Sequence, residues 1–225
     1  MTIIQDFIPI GRKNRPGLKN PMNFITIHNT GNSNKGANAK AHANYVKSDA
    51  AADAPVSWHY TTDDGGAYQH LPDNETAYHA GDGNGPGNKQ SIGIEICQNS
   101  DSNLLIATEN TARLCAMLCV KHDIAVKNIV QHNFWSGKNC PQELRANRPY
   151  SWHTFISKVG DYITELLAVP ETPKTPEEIT VENAFSVGIL GDKTYWLGVI
   201  RGTITPRPEY VKGLLDNAYA RVQAR

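Results

Sequence analysis

The stretch SIGIEICQN (Ser91–Asn99) sets the fold class of this chain. Ile92, Ile94 and Ile96 alternate with Gly93, Glu95 and Cys97, the two-residue period of a strand. One face of that strand is wholly β-branched and suits a core. The other carries a glycine, a carboxylate and a thiol, and is left open enough to line a groove. A strand of this buried type sets Glu95 among apolar neighbours, where partial desolvation favours its protonated form. The plain alternative is an edge-strand glutamate that faces solvent.

Similar strands recur on both sides. NFITIHNT (Asn23–Thr30) is a short β-branched run that reads as a strand ending at His28. VSWHYTTDDGGAYQHL (Val56–Leu71) reads as strand, Asp-Gly turn and strand, a hairpin. IVQHNFW (Ile129–Trp135) begins as a strand and runs into a loop. Helices are expected between and after them: Ala39–Ala50, then Ala107–Ile124 with Thr108 as N-cap, then Tyr150–Ala168. Strands alternating with helices make a mixed α/β body.

The 225 residues suffice for one full domain and a small second one. Leu166–Thr180, LLAVPETPKTPEEIT, contains three prolines among several charges and reads as extended. The division expected is therefore a body over residues 1–167, a Pro-rich linker over 168–176 and a small helical domain over 177–225. Three short helices are expected in the tail, with Asp192 as an N-cap and Pro206 and Pro208 setting the start of the last. Val211, Leu214, Leu215 and Ala218 make the apolar stripe of that helix. Tyr195, Trp196, Tyr210 and Tyr219 suit either a small core or stacking on sugar.

Formal net charge is +0, so the chain carries no electrostatic footprint for nucleic acid or an acidic membrane. Four cysteines are too few for a disulfide scaffold in a chain of this length. The N-terminal residues show no signal-peptide pattern, and no apolar run is long enough to cross a bilayer. The expectation is a protein made in the cytoplasm, with export by a non-standard route open.

QHNFWSGKNCP (Gln131–Pro141) sets His132 and Cys140 in one turn-rich stretch, with Lys138 just before the thiol. Two donors do not close a metal site, but His28 ends another strand. Two imidazoles and a thiolate suit zinc, with the fourth position free, the pattern of catalytic rather than structural sites. A histidine at a strand end is also an ordinary satisfied polar residue. A competing group is Cys115, Cys119 and His122, at i, i+4 and i+7 on one helix. The apolar run LCAMLCV around it favours core packing there.

Together, FITIHNTGN, VSWHYTTDDGGAYQHLPDNETAYHAGDGNGPGN, SIGIEIC and QHNFWSGKNCP resemble the zinc-dependent N-acetylmuramoyl-L-alanine amidases, a family that also contains phage endolysins and animal peptidoglycan recognition proteins. The likeness is strongest to amidases of phages and prophages of Gram-positive hosts and spans roughly residues 20 to 160. It implies a central mixed β-sheet flanked by helices, with Zn2+ in a groove held by His28, His132 and Cys140. Glu95 falls on the acid–base carboxylate, and Lys138 on the basic residue before the third ligand. Trp58 and His59 fall on a Tyr-His pair. An indole offers only an N–H, so no hydroxyl chemistry transfers to Trp58, which is expected to shape the groove. His79 falls on a groove-lining, substrate-binding position, and His79–Asn88 reads as a flexible polar groove wall.

The implied reaction is hydrolysis of the amide between the lactyl group of N-acetylmuramic acid and L-alanine of the stem peptide. The implied partner is peptidoglycan, glycan strand and stem peptide together. Two other readings remain open at this point. One is a peptidoglycan-binding protein of the same fold that does not cut. The other is a structural zinc protein in which His59 or His79 supplies a fourth ligand. For the C-terminal helices the expectations are wall binding, by analogy with similar endolysins, or self-association into a homo-oligomer.

Overall fold

A computed structural model of the chain describes residues 1–168 and 175–223. These divide into two compact units, Met1–Leu167 and Ala168–Arg225. Residues 169–174, most of the expected Pro-rich linker, lie outside the described residues.

The first unit is built on a six-stranded sheet in the order β1-β4-β3-β5-β2-β6. The strands are β1 (Ile3–Gln5), β2 (Phe24–Asn29), β3 (Tyr60–Asp63), β4 (Gly66–Gln69), β5 (Ser91–Ile96) and β6 (Ile129–Gln131). Only the β3–β4 hairpin is antiparallel; the other neighbours run parallel. The hairpin turns through Asp64-Gly65, and the Asp63 carboxylate accepts from the Gly65 and Gly66 amides. SIGIEI thus lies in the middle of the sheet, between β3 and β2, so Glu95 is on no edge.

Parallel register lines up three side chains in one row. Thr61 of β3 and His28 of β2 both sit opposite Glu95 of β5. Residues paired this way project from the same face. The other face carries Ile25, Ile27, Tyr60, Ile92, Ile94 and Ile96. Two long helices close it with Ala112, Leu114, Cys115, Leu118, Phe155 and Val159. These are α4 (Leu104–His122) and α7 (Trp152–Leu167). The shorter helices of this unit are α1 (Ala39–Val46), α2 (Asp49–Asp53), α3 (Pro86–Lys89), α5 (Asn133–Ser136) and α6 (Gln142–Arg145). A second, smaller core gathers Ile8, Val46, Trp58, Leu71 and Ala77.

Two helix boundaries differ from expectation. The helix expected to start near Thr108 starts at Leu104, because Asn103 accepts from the amides of Leu105 and Ile106. Thr108 is interior and donates to the Leu104 carbonyl at 2.7 Å. The helix expected over Ala39–Ala50 is two helices. Ser48 leaves the helical path and caps the second by accepting from the Ala51 amide.

The second unit has α8 (Pro176–Ser186), α9 (Lys193–Ile200) and α10 (Pro208–Gln223). Asp192 caps α9 through the Tyr195 amide at 2.9 Å. Val181 and Leu190 are buried, and the Tyr195 and Tyr210 rings stack at 4.6 Å. The α10 stripe is only partly covered: Leu215 is 63% exposed and Val211 37%. The Tyr219 side chain lies outside what is described. Among the described residues, no helix is long and apolar enough to cross a membrane.

Candidate metal centre and groove

His28, His132 and Cys140 come from widely separated parts of the chain, yet one donor atom from each lies within 4.8 Å of the others. His28 is delivered by β2. His132 follows β6, the neighbour of β2, and its amide donates to the Ile27 carbonyl at 3.1 Å, extending the ladder. Cys140 must then return beside it. Asn133 makes the return: its amide donates to the Cys140 carbonyl, and its side chain donates to the carbonyls of Gly137 and Lys138. Gly137 turns the loop with φ +73°, a conformation open to glycine at little cost. No sequence reading singled out Asn133, although its amide between a strand end and a Gly-containing turn is a legible loop-stitching signal.

His28 Nδ1 is 2.9 Å from His132 Nδ1 and 3.8 Å from Cys140 Sγ. A tetrahedral ion held by imidazole and thiolate needs separations of about 3.3 Å between nitrogens and about 3.6 Å between nitrogen and sulfur. The donor set therefore fits a metal ion. All three side chains are buried. Burial, reinforced by neighbouring imidazoles and Lys138, lowers the basicity of His28, and burial then Lys138 does the same for His132. Both rings are thus held neutral, the form that ligates. Burial, with the nearby Glu95 charge, pushes the Cys140 thiol up to about 11, so a cation is needed to draw off its proton.

His79 stands behind this group. Its Nδ1 is 3.0 Å from His28 Nε2, the nitrogen that points away from His132 and Cys140. It therefore orients His28, the part that an outer hydrogen-bond partner plays behind a ligating imidazole. Gly93 makes room for it: a Cβ there would come within 2.7 Å of the His79 ring. His79 also lines the groove. His59 is fully engaged in the fold, with Nδ1 accepting from the Gly93 amide and Nε2 bonded to the Glu75 carbonyl. Neither His59 nor His79 supplies a fourth donor, which removes the support for a closed structural site.

Glu95 Oε1 is 3.9 Å from His28 Nδ1. Its Oε2 is buried and has no hydrogen-bond partner among the described residues. Burial pushes the carboxyl up to about 8, against the opposing pull of Lys138. Lys138 is exposed and lines the same cavity, of about 790 Å³, with Lys13, Trp58, His79, His132 and Glu95. A second cavity, of about 410 Å³, opens beside it and is lined by Thr30, Asn32, His42, Tyr45, Trp58 and Glu95.

The wall expected to be flexible, His79–Asn88, is internally tied. Asn88 Oδ1 accepts from the His79 and Ala80 amides, and Asp82 accepts from the amides of Gly87 and Asn88. Glycine and asparagine content suggested mobility, but two polar side chains folded back on their own loop use its amides. The competing group on α4 is divided by the fold. Cys115 and Cys119 are buried in the main core, while His122 pairs with Asp73 at 2.8 Å.

Residues 18–143 match the family described as N-acetylmuramoyl-L-alanine amidase. The chain belongs to this family. N-acetylmuramoyl-L-alanine amidase XlyA of Bacillus subtilis (strain 168) is 49% identical over 160 residues, covering 71% of this chain and 52% of that protein. N-acetylmuramoyl-L-alanine amidase CwlH of the same organism is 45% identical over 161 residues, covering 71% of this chain and 62% of that protein. The chain thus spans about half to three-fifths of the length of these relatives. The solved catalytic domain of XlyA superimposes with a TM-score of 0.67 at 49% identity, covering 71% of this chain and 100% of that one. For this amidase-family chain the matched region holds His28, Glu95, His132 and Cys140 together.

Proposed function

We propose that this chain is a zinc-dependent peptidoglycan amidase that hydrolyses the bond between N-acetylmuramic acid and the L-alanine of the stem peptide. One observation carries the reading. Three metal-ligand donors converge beside a carboxyl group with a buried, unpartnered oxygen, at the floor of an open groove. A peptidoglycan-binding protein that does not cut would need the groove but neither the three donors nor the carboxyl group beside them.

In this reading His28, His132 and Cys140 hold Zn2+, which when bound acidifies water and polarises the carbonyl. Glu95 accepts the proton of the attacking water and delivers it to the amine nitrogen as the C–N bond breaks. Burial raises its basicity, which suits a carboxylate to take a proton and pass it on. Lys138 places positive charge beside the developing oxyanion. His79 fixes the His28 ring, and Trp58 forms groove wall. The products are the lactyl carboxylate on the sugar and a stem peptide with a free amine.

For the second unit we propose a wall-binding role, which raises the local concentration of the body on its insoluble substrate. It rests on the partly exposed apolar and aromatic side chains of α9 and α10; self-association through those helices is its competitor. Synthesis in the bacterial cytoplasm followed by action on the wall, in phage lysis or wall turnover, completes the reading. The deciding experiment is mass spectrometry of muropeptides after digestion with the full chain. Stem peptides beginning with a free L-alanine amine are expected; intact muropeptides would overturn the amidase reading.

A further inference from the structure

Trp58 and Glu95 each line both cavities of the groove. The indole therefore stands, with Glu95, where the two cavities meet, and its position bears on the shape of each. Trp58 is 6% exposed, and what holds it is buried beneath it. Its Nε1–H donates to Thr61 Oγ1 at 2.7 Å, and that hydroxyl lies 2.9 Å from His70 Nε2. Thr61 and His70 are fully buried.

An indole nitrogen only donates, so Thr61 Oγ1 accepts from it. Burial holds the pKa of His70 down to about 3, so its ring is neutral. One tautomer accepts the Thr61 hydroxyl proton at Nε2, and the other donates from Nε2 to the second lone pair of the same oxygen. With either tautomer Thr61 Oγ1 ties the indole to the buried imidazole. Thr61 sits directly opposite Glu95 across the β3–β5 ladder. Above it, Tyr45 stacks with the indole at 6.4 Å and 25°.

We propose that Thr61 and His70 are positioning residues: their buried hydrogen-bonded chain fixes the Trp58 indole as the partition of the groove. The two arms of a substrate then leave the scissile amide on opposite sides of that partition. This rests on the amidase reading, since an amide with an acyl arm and an amine arm is what needs two compartments meeting at Glu95. Among the described residues the side-chain hydrogen bonds of Thr61 are those to Trp58 and His70, which makes the effect separable from a general packing role.

The test is a double-mutant cycle in the full, zinc-loaded chain, with Thr61→Val, Trp58→Phe, the pair, and Thr61→Ser. Kcat and KM are measured on a soluble muropeptide that carries both its sugar and its peptide. Binding of the same muropeptide is measured in parallel on the Glu95→Gln forms of each variant. Thr61→Val is expected to raise KM and Kd roughly fivefold to tenfold, the worth of one hydrogen bond, with kcat within about threefold. Thr61→Ser keeps the hydroxyl and is expected to restore KM to within about twofold. In the Trp58→Phe background Thr61→Val adds less than about twofold. Wild-type KM in Thr61→Val, an equal rise with Phe at position 58, or a Ser variant as impaired as Val each overturns the proposal. If Thr61→Val does not fold, Trp58→Phe removes the same bond from its other end, and wild-type KM there overturns it as well. Absence of cleavage by the wild-type chain would instead sink the amidase reading, while the binding cycle would still report on the partition.

Discussion

Cys115, Cys119 and His122 lie on adjacent turns of α4, whereas His28, His132 and Cys140 come from two strand ends and a loop. Both groups contain cysteine and histidine, and only the dispersed one assembles. On α4 the helix turns the two thiols into the core formed with the sheet and α7, where burial raises both pKa values, Cys119 to about 11. His122 faces Asp73 instead, which also bonds Lys121, Tyr60 and Gln69. In the dispersed group, parallel pairing of β2 with β5 and β6 brings two imidazoles and a carboxylate to one end of the sheet. Proximity in sequence gives one helical face; convergence on a point requires neighbouring strands.

The largest expected effect breaks the dispersed group. Cys140→Ala combined with His132→Ala removes two of three donors, and zinc content measured on the purified protein should fall from about one per chain to background, with activity lost. Full zinc occupancy in that variant would show that the ion sits elsewhere. Next, Glu95→Gln should retain zinc and fold but lose about 10²–10⁴-fold in kcat on soluble muropeptide. Near-normal turnover would remove Glu95 from the reaction. Lys138→Ala should lose about 10²-fold or less, the scale of one oxyanion contact, read in kcat rather than KM.

The smallest effect on chemistry is expected in the α4 group. Cys115→Ser places a hydroxyl in an apolar site and should cost roughly 1–3 kcal/mol in denaturant unfolding. Zinc content and kcat should stay at wild-type levels; loss of zinc would mean that the two groups are not independent. Asp73 sharpens the same contrast through pH. Burial alone would raise its pKa, but bonds from Lys121, Tyr60 and His122 outweigh that and hold it below its ordinary value. A carboxyl depressed in the fold contributes stability above its unfolded pKa and loses it as pH falls through the folded one. The stability of the wild type should therefore decline below about pH 4 more steeply than that of Asp73→Asn, as measured by thermal unfolding across pH.

The local periods of the chain were sufficient for its main strands and long helices, though not for β1, the short α3, α5 and α6, or the break between α1 and α2. Alternation in SIGIEIC separates isoleucines from Glu95, the Asp-Gly pair marks the hairpin, and Asp192 marks the start of α9. Helix starts were less legible, since Asn103 and Ser48 act through amides two or three residues ahead, and such residues serve equally well in loops. The donors themselves could be named from residue type and position at strand ends, together with the family likeness. Their convergence came from the family likeness alone, because spacing of the donors says nothing of which strand lies beside which.

Residue chemistry and period, read along the chain, determined the main strands and long helices, the isoleucine face, and the kinds of atom that could bind a metal. These are properties of neighbours a few residues apart, so the sequence states them directly. Only the tertiary structure decided that Glu95 lies between Thr61 and His28, that Asn133 returns Cys140 to His132, that His79 rests on Gly93 to orient His28, and that Trp58 is tied to Thr61. The placing of Glu95 and of His79 depends on pairings between segments far apart in sequence, made by burying one face of the sheet; Asn133 and Trp58 take partners three to seven residues away, the ones that the folded chain leaves within reach.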